Sequence, residues 1–231
     1  MPTHSDAAGP ARPAPALPPT LLLVIGVAVL SVMDATIKHL SDTNHTLIVV
    51  LGRYFFATLF SLAIWAQAGR PTITPAMWRA HGQRGIVIAI AATAFFWSLT
   101  VLPLAEAVTL AFFYPLIAPF VAFAMIGEQP RITSLFAAGL GFIGVIIALQ
   151  GAPSTDAEPR YWLGVSAVIF STFAFAVSIV LMRARAPTDG APVVGLLASF
   201  IPGLIVAAPA IAFAPPPRWE DWPFFVLMGA L

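Results

Sequence analysis

A run of about twenty apolar residues, met again and again along one chain, leaves few folds open. Leu21–Leu40 is such a run, and six more follow: Thr46–Trp65, Gly85–Leu102, Leu104–Ile126, Ile132–Gln150, Tyr161–Met182 and Val193–Phe213. An eighth begins at Trp222 and continues to Leu231. A helix rises about 1.5 Å per residue, so about 20 residues cross the roughly 30 Å hydrocarbon core of a bilayer. The runs are continuously apolar, whereas barrel strands alternate over about ten residues, so the expectation is helices. Composition agrees: 59% of residues are hydrophobic, 9% are charged and the mean hydropathy is +0.92. Soluble domains carry roughly 25% charged residues. The fold class expected is an all-α integral membrane protein, a multi-span helical bundle embedded in the lipid bilayer.

Several function classes fall away. No basic stripe is interleaved with aromatics, so nucleic acid is not an expected partner. With no cysteine, there is no disulfide, thiol nucleophile or cysteine-held metal, and the four scattered histidines form no ligand pair. No metal and no cofactor are expected. Gly139-Leu140-Gly141-Phe142-Ile143-Gly144 matches a dinucleotide fingerprint by letter alone. It lies inside an apolar run with no strand before it and no acid about 20 residues on. Ala137, Gly141 and Gly144 read better as a small-residue stripe for helix packing.

Residues 1–19, rich in Pro and Ala, read as a disordered tail. The connectors are short and polar or hold Pro and Gly. Lys and Arg favour cytoplasmic loops. With the N-terminus inside, seven basic residues (Arg12, Arg70, Arg79, Arg84, Arg131, Arg183 and Arg185) fall on the cytoplasmic side. Three (Lys38, Arg160 and Arg218) fall outside. An N-terminus in the cytoplasm is therefore expected. The chain stops about ten residues into its eighth run, which reads as a C-terminally incomplete sequence.

Charges inside the runs are costly and need a reason. Asp34 and Arg53 lie at similar depth on consecutive antiparallel spans, about 9–10 Å from their joined ends. A carboxylate and a guanidinium at one depth offset each other's desolvation. Lys38, one turn from Asp34, is a second partner for it or a snorkelling residue. Glu106 opens the fourth span, either as a site residue or as an acid at a helix N-terminus. Pro115 and Pro119 each remove a backbone hydrogen bond in that span, and a broken helix can turn a carbonyl toward a cavity. Tyr114 and Trp97 could face the same space. The candidate substrate- or ion-binding residues are thus Asp34, Lys38, Arg53, Trp97, Glu106, Tyr114 and Pro115; Asp34 and Arg53 read equally well as a lock between two helices.

Gly164–Arg183 faintly echoes Gly26–Leu40, and five spans precede the linker at 151–160. An odd number of spans inverts a second copy, an architecture recurrent in transporters. The motifs MDATIKHL, GRYFFA and LPLAEAVTLAFFYPLIAPFVAFAMIGEQPRITSLFAAGLGFIGVIIAL together resemble the drug/metabolite transporter superfamily, of the EamA type. That resemblance implies ten helices in two inverted five-helix repeats in a bacterial inner membrane, of which about seven and a half are present. Residues 20–150 would be the first repeat and 161–231 part of the second. It also implies a permease of small metabolites or drug-like solutes that alternates access between its repeats, and not an enzyme. Other function classes are an integral-membrane enzyme, for which His39 and Asp42 are the nearest catalytic pair, and a non-transporting membrane partner. A second copy of the chain, as a homodimer, is left open.

Overall fold

The computed structural model describes residues 18–129, 132–150 and 159–231, apart from the side chains of a few helix residues, Pro115 among them. The N-terminal tail and most of the linker at 151–160 lie outside the described residues.

Nine α-helices follow one another, with no strand among the described residues: α1 (Pro19–Thr43), α2 (Thr46–Gln67), α3 (Pro75–Ser98), α4 (Leu104–Ala111), α5 (Tyr114–Ile126), α6 (Ile132–Gln150), α7 (Pro159–Asp189), α8 (Ala191–Phe213) and α9 (Trp222–Ala230). A single 3-10 turn, Trp219–Asp221, leads into α9. Local chemistry sets several boundaries. Thr74 Oγ1 accepts the Met77 amide at 3.3 Å and Pro75 begins α3, a pairing of cap and proline that favours a helix start. Gly127 closes α5 at φ 70°, a left-handed conformation that a glycine adopts without steric cost.

The fourth apolar run is not one helix. It breaks at Phe112 and Phe113 into α4 and α5, because Pro115 has no N–H to give the Ala111 carbonyl. The chain bridges the gap with a tighter turn in which the Phe113 amide donates to Leu110 O at 3.1 Å.

Among the described residues, five stretches are long and apolar enough to cross a membrane, against the seven expected: Thr20–Thr43, Thr46–Gln67, Leu104–Ile126, Pro159–Arg183 and Ala191–Phe213. The third run belongs to α3, which starts ten residues earlier than Gly85. It therefore includes Arg79, His81, Gln83 and Arg84, expected in a loop, within a helix. In the fifth, only Leu135–Gly144 stands out as a shorter apolar helix. The connector expected after Met182 is likewise helical, since α7 runs on to Asp189.

Successive spans alternate in direction, with α4 and α5 running the same way as two halves of one span. Thr43 and Asn44 meet Asp221 at one end, where Lys38 also reaches Leu99 and Tyr161 reaches Glu106. At the other end His81 meets Asp189, and Glu128 meets Arg183. The main core joins Ile37, Leu40, Val49, Val50, Phe96, Leu99, Val206, Phe225 and Met228, drawn from α1, α2, α3, α8 and α9.

The packing of the helices is close to two-fold. α2 lies against α8; α3 lies against α7 and α8, while α9 lies against α1 and α2. Exchanging α1, α2 and α3 with α7, α8 and α9 reproduces each of these contacts. Glycines allow the close approaches. A Cβ at Gly52 would enter the Phe225 ring, one at Gly229 would enter Phe56, and one at Gly203 would lie 3.1 Å from Tyr54 Cβ. In the expected stripe of Ala137, Gly141 and Gly144, a Cβ at either glycine would instead meet nothing within 4 Å, as at Gly139 beside them, so these glycines pack closely on no described helix.

Candidate functional site

Asp34 stands on α1 and Arg53 on α2, both half-buried. Each is close enough for its charge to act on the other, yet among the described residues no ion pair at contact distance joins them. Arg53 instead stands over the Tyr54 ring, 5.9 Å from its centre. A charge held near its counter-charge without direct contact keeps capacity for a further partner.

Lys38 turns away from Asp34. Its ammonium donates to Leu99 O at 2.7 Å and lies 3.1 Å from Asp42 Oδ1. Leu99 is the C-cap that follows α3, where carbonyls lack helical partners, so the lysine caps that end and fixes α1 against it. The side chain runs outward along its helix as a snorkelling lysine does.

Glu106, in the first turn of α4, is 7% exposed and accepts a hydrogen bond from the Tyr161 hydroxyl of α7. The carboxylate is thereby held between the two halves of the chain. Tyr114 begins α5 directly after the helix break and packs edge-on against Phe175 of α7, ring centres 5.6 Å apart. Pro115 is the second residue of α5. Trp97 is half-buried near the end of α3. The seven candidates thus do not converge on one place. Asp34 and Arg53 share one locality; Glu106 and Tyr114 meet α7 from the α4–α5 side, with Pro115 next to Tyr114 in the chain; Lys38 is committed to helix capping, and Trp97 stands near the end of α3.

Four residues outside that set carry strong chemistry. His81 and Asp189 bond at 3.1 Å with 2% and 4% of their side chains exposed, and Thr188 also donates to Asp189 at 2.9 Å. Tyr54 lies in the core. Arg84 of α3 lies close enough to Tyr54 to interact with it electrostatically, and its Nε and Nη1 are buried with no hydrogen-bond partner among the described residues. The sequence carried a signal for this face. Thr74-Pro75 marks a helix start, and from there His81, Arg84, Gly85 and Ile88 follow the i, i+3, i+4, i+7 spacing of one helical face. Near that end a pocket of about 250 Å³ is lined by Ala76, Arg79, Ala80, Gln83 and Arg185; none of the seven candidates borders it.

Among known proteins, residues 18–150 match the EamA-like transporter family. Three curated relatives are S-adenosylmethionine uptake transporters from Rickettsia. The one from Rickettsia conorii is 26% identical over 57% of this chain and 46% of its own length. The one from Rickettsia felis is 26% identical over 59% and 48%, and the one from Rickettsia prowazekii 24% identical over 52% and 41%. The matched part spans less than half the length of each. A solved structure described only as "Crystal structure of protein" shares the fold, with a TM-score of 0.68 and 20% identity over 89% of this chain and 74% of that one. The family match covers more than half of the chain and the helical bundle agrees with it: this is a multi-pass α-helical membrane protein that belongs to the EamA-like transporter family.

Proposed function

We propose that the chain forms part of a secondary transporter of a small solute, working by alternating access between two inverted repeats, 20–150 and 161–231. It sits in a bacterial inner membrane with its N-terminus in the cytoplasm. The observation that carries this reading is the two-fold exchange of α1, α2 and α3 with α7, α8 and α9. Repeats interlocked in this way can rock against one another about a site between them. Asp34 and Arg53 stand on helices that take part in the exchange, and intramembrane charges mark substrate or proton paths.

In this reading Asp34 takes the coupling proton or a cationic group, and Arg53 tempers its charge. Glu106 and Tyr114 flank the helix break, where Pro115 frees a carbonyl to face the path. Trp97 offers an aromatic wall, and Lys38 fixes α1 in place. The chain shows no nucleotide-binding motif, so an ion gradient is the driving force this reading assigns. Because the Rickettsia relatives carry the name S-adenosylmethionine uptake transporter, S-adenosylmethionine is the first solute to try.

The test is uptake of labelled S-adenosylmethionine into proteoliposomes with and without an imposed pH gradient. Gradient-dependent uptake that Asp34→Asn abolishes supports the reading. Uptake equal to that of empty liposomes, for this solute and a panel of other metabolites, overturns it.

A further inference from the structure

Among the described residues, Arg84 poses the sharpest electrostatic problem. It is the tenth residue of α3, about 13 Å along the helix axis from Pro75. Two of its three guanidinium nitrogens, Nε and Nη1, are buried and donate to nothing among the described residues. A buried donor without an acceptor costs more than a missing hydrogen bond in water, and more again when it is charged.

The surrounding helices cannot supply the acid. α3 packs on α7 and α8, and also touches α1 and α2. Neither α2, α3 nor α8 contains an Asp or Glu. α7 has one, Asp189, which His81 and Thr188 already engage. α1 has Asp34, which faces Arg53, and Asp42, which Lys38 holds. Among the described residues, the ionisable side chain close enough to act on Arg84 is the Tyr54 phenol, which is uncharged near neutral pH and so does not neutralise it. Arg53 and Arg84 both lie near Tyr54; Arg53 has Asp34 nearby, whereas Arg84 has no acid of its own among the described residues, so one positive charge is left over.

We infer that Arg84 is the anchor for a carboxylate carried by the transported solute, held between α2 and α3 beside Tyr54. A guanidinium offers parallel N–H groups that match the two oxygens of a carboxylate. The single surplus charge suits a monoanion; a doubly charged phosphate would meet Asp34 with one negative charge uncompensated. Arg53 stays with Asp34, so the two arginines divide the work between the resident acid and the incoming one. This deepens the transport reading for the same region of the bundle, and it rests on that reading only for the word transported.

The experiment is thermal unfolding of the 231-residue chain in lipid nanodiscs, followed by tryptophan fluorescence, with sodium acetate and sodium benzoate each compared against equal sodium chloride. The proteins are wild type, Arg84→Gln and Arg84→Lys. Without added carboxylate, Arg84→Gln is expected to melt about 2–4 °C higher than wild type, because the unpaired charge is gone. Carboxylate is expected to raise the wild-type midpoint, to leave Arg84→Gln unmoved, and to raise Arg84→Lys by less, since an ammonium cannot bond both oxygens in parallel. The inference is overturned if Arg84→Gln melts lower than wild type, or fails to fold while Arg84→Lys folds. Equal responses to chloride and carboxylate, or equal responses in wild type and Arg84→Gln, overturn it as well. No transport is read. A chain that binds carboxylate through Arg84 but moves no solute leaves this inference standing and sinks the transport reading, and the converse result separates them as cleanly.

Discussion

His81 and Asp189 show how one residue pair can join distant parts of the chain. One lies early in α3, the other ends α7, and neither is more than 4% exposed on its side chain. Removing the imidazole leaves a buried carboxyl with Thr188 alone; removing the carboxyl leaves a buried ring. His81→Ala and Asp189→Ala should each cost about 1–3 kcal/mol, the usual penalty for a stranded buried partner. The double variant should cost clearly less than the two single losses added together, because the second change strands nothing further. Melting curves of the four proteins in one detergent decide it, and simple additivity would mean the pair is not coupled. Tyr161→Phe makes the parallel case at the opposite end. It removes the hydroxyl that donates to Glu106, a residue only 7% exposed, and should destabilise by about 1–3 kcal/mol. Adding Glu106→Gln to that variant should recover part of the loss, since a neutral amide is less costly to bury than a carboxylate. Unchanged stability in Tyr161→Phe would show that Glu106 is satisfied without it.

At the scale of whole helices, glycine position separates two opposite outcomes. Gly229 of α9 sits where an added Cβ would enter Phe56 Cβ and lie 2.9 Å from the Ala57 amide nitrogen of α2. Backbone cannot swing aside, so Gly229→Ala should force the helices apart and cost about 1–3 kcal/mol. Gly141→Ala on α6 meets nothing within 4 Å and should gain up to about 1 kcal/mol from helix propensity. Opposite shifts in melting temperature are the expected result; a loss at both sites would mean that α6 is covered by something packed on it. This contrast also marks what was legible in the sequence. Hydropathy alone placed α1, α2, the α4–α5 run, α6, α7 and α8 to within a few residues apart from the far end of α7, because a bilayer demands long apolar runs. Pro115 announced the break between α4 and α5, since a missing N–H is a local property of one residue. Hydropathy misplaced the start of α3 and the end of α7 because both carry polar residues within a helix: His81 and Asp189 are buried against each other and Arg84 is half-buried, while Arg79, Gln83, Arg183 and Arg185 are exposed. Arg84, His81 and Asp189 look like loop residues until the packing of α3 on α7 is known. The glycine stripe on α6 failed in the other direction, because small residues permit a contact without causing one. Asp34 and Arg53 were matched by depth, and depth brought them near each other; direct contact depends on rotamers that no spacing rule specifies.

For the molecule as a whole, the two ends of the bundle differ in charge. Arg70, Arg79, Arg183 and Arg185 gather at the end where His81 meets Asp189, beside the pocket lined by Arg79 and Arg185. The opposite end holds Asp42, Glu220 and Asp221, with Asp221 taking hydrogen bonds from Thr43 at 3.1 Å and Asn44 at 2.6 Å. Basic residues near span ends favour the cytoplasm, while acids weigh little in that rule. The arginine end should therefore face the cytoplasm, which also places Pro19 of α1 there. The absence of cysteine makes this directly measurable, because any single introduced thiol is the only one in the chain. Arg70→Cys, in the turn between α2 and α3, should resist a membrane-impermeant maleimide in intact cells and react once the membrane is opened. Glu220→Cys, in the 3-10 turn beside the Asn44 contact, should react in both conditions. The two sites are exposed and lie outside the helix contacts, so folding is not at stake in either variant. The reverse labelling pattern would invert the bundle, and Asp34 and Arg53 would then lie nearer the cytoplasmic face than the outer one. Their depth relative to each other would survive that inversion, because it depends on the α1–α2 hairpin and not on which compartment the hairpin faces.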